Sequence, residues 1–361
     1  MSPPARFLSV LIGGVLLGAA SFTIWDRGSA DGTPLTQDST TTIRPTTTTT
    51  APTTTSTHAV TTTTSPRGTL VIQGTGDVAV DPDYIPALAA NGWDYAWSGL
   101  DGLFVEDDLT VINLECVPSD IGSPLDKAFT FRCPTEALPS IRAAGIEVAN
   151  QANNHSNDFG KEAMLDARAN LLTSDIASVG TGSDWNEATT PSMFEIDGWT
   201  VAVLGFGRKA DSESWYATSD RSGMASAVDT DAMVSVIEEV ATQADLVIVT
   251  IHWGVELDTV PRVEDIARAE RMIAAGADVI FGHHSHRLQP MELIDDRPVF
   301  YSLGNFVWPH NSTESATTAV ARVVVSPDGS LQACLIPAFI ETHGHPVLTE
   351  SPSCGPGSNS G

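Results

Sequence analysis

The chain has 361 residues, enough for one large domain with accessories, and carries 45 Asp and Glu against 18 Lys and Arg, a net charge of -27. That acidity excludes nucleic acid as a partner, because phosphates need a basic surface, and it disfavours a polybasic hold on anionic lipid headgroups. Most of these carboxylates are read as a solvated acidic surface.

In chain order, residues 1–27 hold the uncharged run "FLSVLIGGVLLGAASFTIW" (7–25), close to the length that spans a bilayer as a helix. It reads as a signal anchor, or as a signal peptide cleaved near Gly18-Ala19-Ala20-Ser21. The expected location is the cell membrane, single-pass with an extracellular C-terminal domain, or secreted if the segment is cleaved. Residues 28–67 are rich in Thr and Pro, cannot bury a core and read as an extended linker. A folded domain is expected over 68–345 and a flexible polar tail over 346–361. Four cysteines in an exported chain suggest disulfides; of three pairings, the local ones, Cys116–Cys133 and Cys334–Cys354, are favoured.

Within the domain, residues 69–77 read as a buried strand ending in a Gly-rich turn, and 109–116 as a second strand. A short helix follows at 135–145, a strand at 146–155 and a longer helix at 160–175. A hairpin over 193–207 turns at Asp197-Gly198. Helices at 229–244 and 263–277 alternate with strands at 245–254 and 278–284. Hairpins at 291–306 and 318–340 close the domain, the last turning at Pro327-Asp328-Gly329. The mixture of βαβ units and hairpins predicts an α/β fold, a four-layer αββα sandwich with helices covering sheet layers.

Ligands of α/β sheets gather beyond the carboxyl ends of strands, and each strand here ends in residues able to hold a metal. Asp77 ends the first, Asn113 and Glu115 the second. Asn153, Asn154 and His155 end the third, with Asp158 just beyond. The stretch "VTIHWGVE" supplies His252, Trp253 and Glu256; "FGHHSH" supplies His283, His284 and His286; "YSLGNF" supplies Asn305. Each cluster alone has a plain explanation as a turn or a hydrogen-bonded core residue. Their recurrence at successive strand ends is what points to a site. Carboxylates, an amide oxygen and imidazoles together suit one or two divalent ions, Mn, Fe or Zn rather than Mg or Ca. In an extended segment, His284 and His286 would share one face and meet one ion each, or flank one.

The motifs "GTGDV", "INLEC", "ANNHSNDFG", "IHWGVE", "GADVIFGHHSHRLQPME" and "YSLGNFVW", in this order between Thr69 and Ile340, resemble those of the bacterial capsule synthesis protein family, CapA, or poly-γ-glutamate capsule domain. The resemblance implies a fold similar to calcineurin-like metallophosphatases, and a membrane-anchored extracellular protein that makes, exports or attaches poly-γ-glutamate. Its partners would be an anionic or cell-wall polymer and membrane-bound capsule synthesis proteins. It also implies Asp77, Glu115, Asn154, His252, His284 and His286 as metal ligands, with His283 a rival and Glu115 bridging. Ala79 stands where the metallophosphatase pattern has a histidine, which puts the first ion in question unless another group replaces it. His155 and Asp158 are the candidate catalytic pair, and Asn153, Trp253, Glu256 and Asn305 the candidates for substrate contact. The alternatives are a general extracellular metallophosphoesterase and a non-catalytic polymer-binding scaffold.

Overall fold

The central apolar runs become strands because they are rich in β-branched residues and find cover on both faces, as in Leu246–His252, where every residue is buried. The computed structural model describes residues 66–354; the apolar segment 1–27, the linker as far as residue 65 and residues 355–361 lie outside the described residues. Among the described residues no helix is long and apolar enough to cross a membrane.

One sheet runs in the order His345–Leu348, Leu331–Thr342, Thr317–Val325, Leu70–Val78, Leu109–Leu114, Val148–Asn150 and Ala177–Val179, with Asn305–Val307 paired to the end of Leu70–Val78. Its last four strands are parallel. The other runs Met291–Ile294, Arg297–Phe300, Val279–His283, Leu246–His252, Trp199–Gly207 and Ser192–Ile196, parallel except at the two edges. Alternation along each strand makes the layers. Val201 and Val203 meet Leu70, Ile72, Val111, Ile248 and Phe281 between the sheets. Ala202, Leu204 and Phe206 face outward under the helices Thr230–Ala241 and Val263–Ala274. On the far side, Ile112 and Leu114 pack beneath Pro86–Asn91 and Leu138–Ala143. The result is the expected four-layer αββα sandwich.

Three local expectations change. "GTGD" is not a turn: the strand runs through it to Val78. A Cβ at Gly74 would meet the Phe281 ring at 2.8 Å, and one at Gly76 would meet the Gly304 carbonyl at 2.2 Å, so these glycines serve close approach. The helix at 135–145 divides into a 3-10 turn, Thr135–Ala137, and Leu138–Ala143, with Pro139 in the first turn, where its missing N–H costs nothing. The expected tail begins inside a strand: His345–Leu348 pairs with Leu331–Thr342, and Cys354 is bonded to Cys334. Four residues are too short for a clear alternation, so that strand carries little signal of its own. The other disulfide joins Cys116 to Cys133, as locality suggested.

Candidate metal centre

Sheet register assembles the site. In the first sheet Asp77 lies opposite Asn305 on one side and Asn113 on the other, and Asn113 lies opposite Asn150. In the second, His252 lies between Gly207 and His283. The parallel strands thus end together, and the loops after them enclose the space between the two sheet ends. Asp77 is held there by its own backbone, its N–H donating to the Gly304 carbonyl at 2.8 Å.

Glu115 is the centre of the arrangement. It is fully buried, and its Oε1 accepts no hydrogen bond. Around that oxygen stand His252 Nε2 at 3.6 Å, and His155 Nε2 and His286 Nε2 at 4.0 Å each. Ligand atoms of Glu115, His252 and His284 all lie within 4.8 Å of one another, as do those of Asp77, Glu115 and His286. Donors so spaced suit a cation whose bonds to each are about 2.0–2.2 Å. A buried acceptor left unpaired costs about 1–3 kcal/mol, and His284 Nδ1 is a second buried atom without a partner. The residues present therefore fit a metal, with Glu115 common to both groups.

Neighbouring amides aim the ligands, as hydrogen-bonded neighbours do at metal sites. Asn113 Nδ2 donates to Asp77 Oδ1 at 2.9 Å and to Glu115 Oε2 at 3.2 Å. Asn154 Oδ1 lies 2.7 Å from His252 Nε2. Asn305 Oδ1 lies 2.9 Å from His286 Nδ1, while its Nδ2 donates to the Ser315 carbonyl. His286 Nδ1 is also 3.0 Å from Asp77 Oδ2.

Beside the metal-competent groups stands a histidine–aspartate pair. His155 Nδ1 lies 2.7 Å from Asp158 Oδ2. Asp158 is wholly buried and also accepts from the Phe131 N–H at 2.8 Å and Lys127 Nζ at 2.8 Å. The aromatic rings of Phe131 and Trp308 wall this side: Phe131 lies 4.4 Å from the His155 ring and Trp308 stacks 4.7 Å from that of His286.

The electrostatics suit metal ligation. Burial, reinforced by the Asp77 charge, pushes the Glu115 carboxyl well above its ordinary range. Burial also works against the Asp77 charge, but His286, His283 and Asn113 outweigh it and hold that carboxyl low. Burial and the neighbouring imidazoles depress His252 strongly; burial takes His283 down to about 4 and, helped by His286, takes His284 to about 3. Burial lowers His155 as well, against the pull of Asp158. Imidazoles held neutral are in the form that binds cations.

The structure brings Asp77, Glu115, Asn154, His252, His284, His286, His155 and Asp158 to one place. His283 lies beneath, its Nε2 3.1 Å from Thr250 Oγ1 and its Nδ1 3.6 Å from Asp77 Oδ1, outside both donor groups. His284 and His286 do not share a face of an extended segment. Each has a positive φ, 92° and 52°, and this left-handed backbone turns both rings inward, a strain typical of functional sites. Among the substrate-contact candidates, Glu256 is exposed at the rim, within electrostatic reach of Glu115. Trp253 faces the outer core and donates from Nε1 to the Tyr301 carbonyl. Asn153 is fully buried, its amide spent on the Leu114 carbonyl and the His155 N–H. Asn305 is spent behind His286. Lys127, Phe131 and Trp308 were not among the residues singled out from the sequence; Asn113 was, as a strand-end residue able to hold a metal, but here its amide orients Asp77 and Glu115 instead.

The sequence matches the family described as bacterial capsule synthesis protein PGA_cap over residues 71–310. It is 31% identical over 206 residues to the PGA biosynthesis protein CapA of Bacillus subtilis, covering 57% of this chain and 54% of that one. It is 31% identical over 229 residues to a probable polyglutamine synthesis accessory protein of Mycobacterium tuberculosis, covering 59% and 60%. The chain spans about half the length of the Bacillus relatives it matches. Among solved structures, it is similar to TT1561 of Thermus thermophilus (TM-score 0.40, 13% identity, 74% of this chain and 98% of that one). It is also similar to the sulfate thiohydrolase SoxB of the same organism (TM-score 0.43, 14% identity, 71% and 45%).

Proposed function

The chain belongs to the bacterial capsule synthesis protein family, and from that membership we propose that it is a metal-dependent hydrolase or transferase of an envelope polymer, poly-γ-glutamate first among them. The observation that carries this reading is Glu115, whose Oε1 is buried and unpaired and which is common to two groups of metal-competent side chains. A divalent cation bound there, Mn, Fe or Zn by the mixed O/N donor set, supplies Lewis acidity toward water and toward the substrate's acyl or phosphoryl oxygen. Asp77 and His286 hold one side of Glu115, and His252, His284 and Asn154 the other. Asn113 keeps both carboxylates oriented. His155, its Nδ1 fixed on Asp158, presents Nε2 to the departing group and passes a proton there. Phe131 and Trp308 limit the access of bulk water on that side.

The same proposal sets the protein outside the cell, on its N-terminal apolar segment, with membrane-bound capsule synthesis proteins as partners. Two disulfides support an oxidising compartment.

The test is to measure bound metal in the full chain, then assay the metal-loaded protein on γ-glutamyl polymer and on simple phosphomonoesters. The expected result is turnover of the γ-glutamyl substrate, reduced about 10²–10⁴-fold in His155→Asn with metal content unchanged. Turnover of phosphomonoesters alone would make it a general phosphoesterase. Turnover of neither would leave a binding scaffold and end the catalytic reading.

A further inference from the structure

A chain with 45 acidic residues can pair nearly every cation it has. Around the metal centre most are paired. Lys127 bridges Asp158 and Asp211, Arg262 meets Asp258 and Glu264, and Arg268 meets Asp265. Among the described residues, Arg208 and Lys209 are different: both side chains are partly buried, and neither makes a hydrogen bond or an ion pair. They directly follow Trp199–Gly207, the strand whose Gly207 lies opposite His252, and the Arg208 N–H donates to the His252 carbonyl at 2.8 Å. Lys209 is near enough to His284 to disfavour a proton on its ring, and it feels the charges of Arg208 and of Glu256 at the rim.

Two adjacent, partly desolvated cations repel each other, and a cation-binding centre beside them adds to that repulsion. Glu256, Glu264 and Asp265 lie within electrostatic reach of the pair, but none makes an ion pair with either side chain to offset the repulsion fully. A ligand anion would. We propose that Arg208 and Lys209 form an anion subsite at the mouth of the metal centre, which takes a carboxylate or phosphate group of the substrate. This deepens the function proposed above and rests on it for the position of the reacting bond. It also answers a difficulty of charge: the net charge of -27 repels an anionic polymer at long range, and a local cationic pair beside the metal ligands supplies attraction where the chain must thread. Arg offers a planar fork for either anion, and Lys a mobile point charge.

The test measures binding rather than turnover, so it stands apart from the catalytic question. The full chain, metal-loaded and carrying His155→Asn to suppress turnover, is titrated calorimetrically with a γ-linked glutamate pentamer and with the same pentamer amidated at its free carboxyls. The acidic pentamer is expected to bind about tenfold or more tightly, as charge-assisted hydrogen bonds imply. Adding Arg208→Gln with Lys209→Gln should collapse that preference at unchanged metal content and with a thermal midpoint no lower than the parent's, and Arg208→Lys with Lys209→Arg should keep it. Inorganic phosphate and acetate, used as competitors, separate the sources: stronger displacement by phosphate assigns a phosphoryl group, and stronger displacement by acetate a carboxylate. Equal affinity for the two pentamers in the parent protein, or a preference that survives the double Gln variant, overturns the subsite.

Discussion

At the scale of single residues, the account turns on Glu115. A carboxylate buried beside Asp77, with one oxygen unpaired, is unfavourable unless a cation lies between them. Glu115→Gln keeps the shape and removes the charge; it should lower metal affinity at least 100-fold, read as metal lost on dialysis, and full retention would contradict the bridging role. Asn113 is the subtler case. Its amide is shared between Asp77 and Glu115, and its Oδ1 accepts from Asn150 at 3.1 Å, so its orientation is set by a fixed network. A second titratable group lies away from the site. Asp107, whose Oδ2 accepts from Gln73 and Thr110, has its carboxyl pushed by burial to about 7. The folded chain therefore holds a proton that the unfolded chain releases at about pH 4, so this group's stabilisation falls as pH rises from there to 7. Asp107→Asn escapes that loss. Its thermal midpoint relative to the parent should rise between pH 5 and pH 8, and a constant difference would contradict the shifted carboxyl.

At the scale of elements, strand parity decides what was legible. Apolar runs such as "LVIVTIH" announced buried strands, and polar residues at their ends announced the site. Side-chain direction at those ends was harder to read. His252 and Trp253 are neighbours, so one must face the metal groups and the other the helices, and the apolar indole takes the helix side. His284 and His286 lie past the end of Val279–His283, where parity no longer applies and a left-handed turn sets direction. Lys127 and Phe131 reach Asp158 from a long loop with no local pattern, so nothing short of the tertiary fold reveals them. That loop is tied down by Cys116–Cys133, one residue beyond Glu115. Replacing both cysteines with Ser should cost about 3 kcal/mol on the loop-entropy scale. It should also loosen the His155–Asp158 side of the site more than the His252 side, measured by denaturant unfolding and amide exchange. An unchanged unfolding midpoint would show that the bridge contributes nothing.

At the scale of the whole molecule, two sheets facing each other bring strand ends from both into one rim, and the donors divide between them: Asp77 and Glu115 from the first, His252 and the 284–286 imidazoles from the second. A cation bound there would tie the sheets together, so binding and stability would be linked. With free metal at about 100 times its Kd, the linked stabilisation is about 2.7 kcal/mol. Chelation should therefore lower the thermal midpoint, and adding metal back should restore it. The most direct measurement is anomalous diffraction from crystals grown with Mn or Zn. The account predicts ions within about 2.0–2.4 Å of Glu115 and of His252 and His284, or of Asp77 and His286. With metal in excess, no anomalous peak beside Glu115, or peaks confined to other parts of the surface, would contradict it.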